Sequence, residues 1–166
     1  MLTRKQLKDI ETLQKECEKH DSLQLKLNWE MLRSRETNQF DFLTYENEEL
    51  IAFLGVYAFG STAEVCGMVK PSERRKGHYN ELFKRAKVTM KHHGFKNVLL
   101  NAPASSNAAK AFLNSVGAIY KFTEHQMHWQ PQSLEDSAGF TLRHATINDT
   151  DMRVKLDVEA FGVPEE

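Results

Sequence analysis

The residues best equipped for chemistry in this chain cluster in one stretch, 63–83, which reads AEVCGMVKPSERRKGHYNELF. An apolar run from Ala63 to Val69 is closed by Pro71. A basic loop follows and opens directly into a helical pattern. Amides in the first turn of a helix have no intrahelical acceptor, and the helix dipole places partial positive charge beside them. Arg74, Arg75 and Lys76 add full charges there, and Gly77 lets backbone and ligand approach closely. The combination predicts an anion cradle, better matched to a diphosphate than to a duplex. The competing reading is a solvated basic turn. His78 lies inside this loop, where it either touches phosphate or faces solvent.

Other reactive side chains are less well placed. Cys66 sits on the apolar strand with no partner histidine suggested by sequence, so it reads as a small core residue rather than a nucleophile. His125 and His128 are three apart on a strand-like segment and therefore point to opposite faces, which argues against a metal pair. No metal is expected. Cys17 and Cys66 form no CxxC motif, so a disulfide framework is not indicated and a reducing, cytoplasmic setting is.

Several elements must position the cradle. Thr3-Arg4-Lys5-Gln6 has the form of a capping box, and Leu7, Ile10, Leu13 and Cys17 recur at helical spacing, predicting a helix over 4–19. A second helix, capped by Asp21 or Ser22, would carry Leu25, Trp29 and Leu32, although the alternation of Leu23, Leu25, Leu27 and Trp29 also suits a strand. Phe40 to Tyr45 and Leu50 to Phe59 read as a hairpin, and Ala63 to Val69 as a third strand. Gly77 to His93 is helical up to Gly94. Val98 to Ala102 is a short strand, Asn107 to Val116 a helix stopped by Gly117, and Tyr120 to Trp129 a last strand or hairpin. This order implies an α/β (α+β) layer fold.

Composition narrows the classes further. The chain has 166 residues, enough for one domain with an appendage, and its net charge of -1 and 40% hydrophobic content suit a soluble protein. No apolar run approaches the roughly 20 residues of a membrane span, so no membrane partner is expected. The charge is unevenly placed: residues 70–96 carry nine basic and two acidic side chains. Such a block is a solvated helix face, a site for a phosphorylated ligand, or a nucleic-acid surface.

At these residues the chain resembles the GNAT acyltransferase superfamily, whose pyrophosphate loop reads Gln/Arg-x-x-Gly-x-Gly/Ala. Arg74-Arg75-Lys76-Gly77-His78-Tyr79 fills its first and fourth positions, Val69-Lys70-Pro71 matches the Val-x-Pro after the central strand, and Asn107 to Ala118 is similar to the asparagine-initiated helix that ends in glycine. The resemblance covers residues 1–130. It implies a mixed, mostly antiparallel sheet with helices on both faces, acetyl-CoA or another acyl-CoA as co-substrate, and a small-molecule or peptide amine as acceptor. By the same resemblance, amides of Met68 and Val69 bind the acyl carbonyl and pantetheine, those of Arg75, Lys76, Gly77, His78, Tyr79 and Asn80 hold the pyrophosphate, and Asn107 lies near the pantetheine arm. Glu64 stands near the place where some members carry a general base, one residue out of step; its other reading is a solvent-facing or edge glutamate. Tyr79 replaces the loop's last small residue, and Leu113 stands where a thiolate-protonating tyrosine is usual. Tyr79, Tyr120 or solvent must then supply that proton. These departures keep open an inactive binding or regulatory module as the alternative to an enzyme, and the basic block keeps open a nucleic-acid-binding domain.

Residues 131–138 read as a linker. Beyond them, residues 139–166 resemble the start of a second GNAT domain, with Phe140-Thr141-Leu142-Arg143 as a strand and Asn148-Asp149 capping a helix over 152–161. This segment is expected to dock on the first domain or to exchange into a homodimer.

Overall fold

A computed structural model of the chain describes residues 1–127, 129–131, 139 and 141–162. The linker residues 132–138, Phe140 and His128 lie outside the described residues. The chain divides into two compact units, Met1–Lys121 and Phe122–Glu166.

The first unit runs α1 (Arg4–Asp21), α2 (Trp29–Ser34), β1 (Asp41–Glu46), β2 (Glu49–Phe59), β3 (Thr62–Val69), α3 (His78–His92), β4 (Asn97–Leu100) and α4 (Asn107–Ser115). The capping box at Thr3 forms as expected, with Thr3 Oγ1 accepting from the Gln6 amide at 3.1 Å and Gln6 Oε1 accepting from the Thr3 amide at 2.9 Å. Beyond α1 the sequence reading needs correction. Ser22 does not start a helix; it ends α1 in a left-handed conformation at φ 53°. The chain from Leu23 to Leu27 then runs without regular structure because α1 holds it by side chains. Glu18 accepts from the Leu25 amide at 2.9 Å, and Gln14 donates to the Leu25 carbonyl at 3.2 Å. Only at Asn28, whose side chain accepts from the Met31 amide, does α2 begin.

β1, β2 and β3 form an antiparallel meander, and β4 joins it parallel to β3, giving the order β1-β2-β3-β4. β2 is apolar almost throughout because both of its faces are covered. Phe53 and Tyr57 turn to one face with Cys66 and Met68, against Ile10, Leu13 and Cys17 of α1 and Leu32 of α2. Leu54 and Val56 turn to the other with Ala63 and Val65, against Leu82, Phe83, Ala86 and Met90 of α3. Alternation along β3 thus sets Glu64 and Cys66 on the α1–α2 side and Val65 on the α3 side. One charged pair is sealed into this packing. Arg35 bonds Asp41, whose side chain is fully buried, and also donates to the Val56 carbonyl at 2.6 Å, tying the chain leaving α2 to the start of β1.

The expected strand over Tyr120 to Trp129 is not formed among the described residues, and Ile119, Tyr120, Met127 and Trp129 are exposed. Alternating side chains set the faces of a strand but do not supply a hydrogen-bonding neighbour, and β4 pairs only with β3 among the described strands. In the second unit, Thr141 to Arg143 is likewise not a strand. The Arg143 guanidinium instead grips Asp149 through two bonds of 2.7 and 2.6 Å, and Asp149 accepts from the Thr146 amide at 2.7 Å. That turn leads into α5 (Thr150–Phe161), with Asp149 as its cap.

Removing one partner of a buried pair leaves the other charge uncompensated. Asp41→Ala should therefore lower stability by about 3–5 kcal/mol, read as a fall in the urea unfolding midpoint, whereas an exposed change such as Glu81→Ala should move it little.

Candidate active site

β4 pairs along its whole length with the first half of β3. Their register runs from Thr62↔Asn97 to Val65↔Leu100, and the last bond is from the Asn101 amide to the Val65 carbonyl at 2.9 Å. β4 ends there, and β3 continues for four residues bonded to β2 on one side only. The direction of each backbone group there follows from the ladder. Lys70 donates to the Ile51 carbonyl at 2.8 Å, so the groups of residues 66, 68 and 70 turn to β2, while those of 65, 67 and 69 face the gap. The backbone facing the gap is accordingly that of Gly67 and the amide of Val69, whose carbonyl accepts from Arg74 Nε and Cys17 Sγ. Met68, expected from sequence, turns its amide to β2.

Gly67 has a steric role here. A Cβ at this position would lie 2.5 Å from the Phe53 carbonyl oxygen and 2.8 Å from Cε2 of Tyr79. The Tyr79 ring lies against this bare backbone and meets Phe112 of α4 edge-on at 4.6 Å. Burial pushes the Tyr79 hydroxyl's pKa above its ordinary value, with the neighbouring Cys66 thiol adding to the effect. Burial likewise pushes the Cys66 thiol up to about 12, which favours the core reading of this cysteine over a nucleophilic one.

At the far end of β3 the chain passes through a short 3-10 turn, Pro71–Glu73, and enters α3 through two left-handed residues, Arg75 at φ 66° and Gly77 at φ 93°. Gly77 caps α3 without a side chain, so no cap occupies the first-turn amides of His78, Tyr79 and Asn80. The His78 Nε2 is buried without a hydrogen-bond partner and stands 3.9 Å from the carboxylates of Glu46 and Glu73. An open cleft of about 510 Å³ adjoins these residues, lined in part by Lys76, Asn80, Lys84 and Lys87.

Arg74 is where the loop departs most from the sequence reading. Its guanidinium is not offered to a ligand. It clasps Asp21 at the end of α1 through bonds of 2.8 and 2.7 Å, and its Nε donates to the Val69 carbonyl at 3.1 Å. Lys76 is paired with Glu73 at 2.6 Å, and Lys70 and Lys84 are paired with Glu49 and Glu81. Arg85 and Lys87 lie over the rings of Phe42 and Phe83.

On the α1–α2 side of β3 lies a second pocket, of about 410 Å³, walled in part by Trp29, Tyr57, Phe59, Glu64 and Cys66. Glu64 is not the solvent-facing residue of its competing reading: its side chain is 19% exposed, and its Oε1 accepts from Asn101 Nδ2 at 2.7 Å and from Lys26 Nζ at 3.2 Å. The Tyr57 hydroxyl is buried at this pocket beside the backbone of Asn28. Asn107 is exposed in the first turn of α4, behind its cap Ser106. Sequence reasoning missed Gly67, Tyr57, Asn101 and Lys26. Only Gly67 left a signal, as a glycine inside a strand where close approach is the usual cause.

The model of the acetyltransferase (GNAT) family matches residues 4–118. The chain belongs to the GNAT family. Solved GNAT folds align with it at low identity. The ribosomal-protein-S18-alanine N-acetyltransferase of Escherichia coli is 18% identical with a TM-score of 0.53, covering 70% of this chain and 73% of its own. An aminoglycoside acetyltransferase from an uncultured soil metagenomic sample, solved with trehalose, is 15% identical with a TM-score of 0.55, covering 79% and 93%. A predicted acetyltransferase from Clostridium acetobutylicum, solved with acetyl-CoA, is 14% identical with a TM-score of 0.52, covering 75% and 91%. No curated protein gives a significant sequence match. The GNAT match ends close to the boundary of the first compact unit, so gap, cradle and pocket all belong to the GNAT portion. Among the described residues no group of three or more histidine, cysteine or acidic side chains converges as a metal site, and no helix is long and apolar enough to cross a membrane.

The Asp21–Arg74 clasp gives a pH-dependent prediction. The Arg74 hydrogen bonds hold the Asp21 carboxyl below its ordinary value. A depressed folded-state pKa contributes stability above the unfolded value that is lost as pH falls through the folded one. Asp21→Asn should cost about 1 kcal/mol at pH 7, discounted for partial exposure, and urea melts should show the difference from wild type shrinking below about pH 4.

Proposed function

We propose that this GNAT domain moves an acetyl group from acetyl-CoA to an amine by direct attack in the β3–β4 gap. One observation carries the proposal: the Gly67 backbone and the Val69 amide, which no neighbouring strand bonds on the gap side, lead through the basic loop to the uncapped amides at the start of α3. That sequence of donors and acceptors suits a molecule that is an amide-bearing arm at one end and a diphosphate at the other. The pantetheine arm is taken up beside β3 as an extra strand by Gly67 and Val69, and the diphosphate by the amides of His78, Tyr79 and Asn80. Lys76, Lys84 and Lys87 in the adjoining cleft supply positive charge for the remaining phosphate.

The reaction then asks little of side chains. The Gly67 amide faces the position where negative charge develops on the acyl oxygen. Glu64, held by Asn101, takes a proton from the attacking amine, and Tyr79 gives one to the departing thiolate in place of the tyrosine absent at Leu113. With Cys66 protonated, transfer runs in one step without an acyl-enzyme. The acceptor enters from the pocket of Trp29, Tyr57, Phe59 and Glu30, whose aromatic walls and acidic residues suit a cationic amine on an apolar body. The acceptors in the names of the similar structures, an aminoglycoside and a ribosomal-protein alanine, bracket the size range from small molecule to peptide. Two buried free cysteines and the need for acyl-CoA suit the cytoplasm. By the same reading, residues 139–166 open a second GNAT repeat, with the Arg143–Asp149 grip shaping the turn before its first helix.

Acetyl-CoA should raise the melting temperature, and an amine panel should yield at least one acceptor that releases free CoA. Tyr79→Phe should lower kcat about 100-fold with acetyl-CoA affinity retained, and Glu64→Gln should lower it comparably. Tight acetyl-CoA binding with no turnover on any amine would favour the binding-module reading.

A further inference from the structure

Lys26 lies in the extended segment between α1 and α2, whose course is fixed by the Gln14 and Glu18 side chains gripping Leu25 next to it. Its side chain is 43% exposed, and it reaches into the pocket walled by Tyr57, Glu64 and Cys66. There its Nζ stands 3.2 Å from Glu64 Oε1, the oxygen that also accepts from Asn101. The geometry is that of an acceptor at the start of the reaction: an ammonium on the carboxylate that would deprotonate it, on the side of β3 from which the amine enters.

We propose that Lys26 is an internal acceptor, so that the protein acetylates its own Lys26. The inference rests on the acyltransferase function proposed above. Glu64 takes one proton from the Lys26 ammonium, and the freed amine attacks the thioester carbonyl carbon of acetyl-CoA. The C–N bond forms as the C–S bond breaks, the electron pair leaves with sulfur, and the amine's second proton ends on the thiolate. Lys26 becomes a neutral acetamide. Acetylation removes its charge and with it the ion pair to Glu64, leaving that carboxylate to an external amine. Modification of Lys26 would in this way prepare the pocket for its substrate.

Incubating the full chain with deuterated acetyl-CoA and mapping the label by peptide mass spectrometry tests this. The expected result is labelling of Lys26 at least about tenfold faster than of the exposed Lys84, at a rate independent of protein concentration. Glu64→Gln should bring Lys26 down to the rate of Lys84, as should unfolding the chain in urea. Lys26→Arg should take no label at that position while its melting temperature still rises with acetyl-CoA. Labelling of Lys26 no faster than Lys84, in a protein that acetyl-CoA stabilises and that acetylates an external amine, would overturn the inference and leave the proposed function standing. Absence of both stabilisation and labelling would overturn the two together.

Discussion

The parting of β3 from β4 after a single short parallel register is the constraint on which the rest of the first unit depends. A strand whose backbone is unpaired on one side carries a cost in any folded protein, and that cost is recovered when a ligand supplies the missing partner. Four residues of β3 are in this position, and alternation leaves two of them, Gly67 and Val69, turned to the gap. The same alternation decides which groups cannot take part. Met68 is committed to β2, while Glu64 and Cys66 point to the α1–α2 side.

The gap has to be held open against the tendency of two strands to close, and the means are visible in the packing. The Arg74 guanidinium joins the end of α1 to the Val69 carbonyl, and the Cys17 thiol donates to that same carbonyl at 3.3 Å. The α1 end, the β3 end and the loop before α3 are thereby fastened at one point. On the opposite side the rings of Tyr79, Phe83 and Phe112 form a wedge, with edge-on contacts at 4.6 and 5.4 Å, between α3 and α4. Aromatic wedges resist compression because their contacts are numerous and their rotamers few. In the basic loop different atoms are left to different tasks: the first-turn amides of α3 carry no side-chain cap, and the Arg74 side chain braces the gap.

Most of the first unit's fold was legible in the sequence. Period-3.6 stripes in α1 and α3, the apolar run of β2 and the Pro71 stop after β3 each report a local physical preference, and local preferences survive into the structure. The strand-Pro-loop-helix order placed β3, the turn after it and the start of α3 for the same reason. What was not legible depends on contacts between distant residues. Nothing in Arg74 announces that Asp21 will take its charge, nor in Leu25 that two α1 side chains will hold it out of a helix. Neither does Glu64's position in the sequence reveal that Asn101 and Lys26 will meet it. The segment after α4 failed in the opposite direction: its alternation is real, but a strand is a property of a pair, and no partner was specified by the pattern.

Residue-resolved amide hydrogen exchange with and without acetyl-CoA addresses the central claim most directly, because the account assigns each β3 amide a side. Acetyl-CoA should slow exchange at Gly67 and Val69 and at His78, Tyr79 and Asn80, while Cys66 and Met68, already bonded to β2, should change little. Protection confined to the lysine-lined cleft, or none at Gly67 and Val69 under saturating acetyl-CoA, would contradict it.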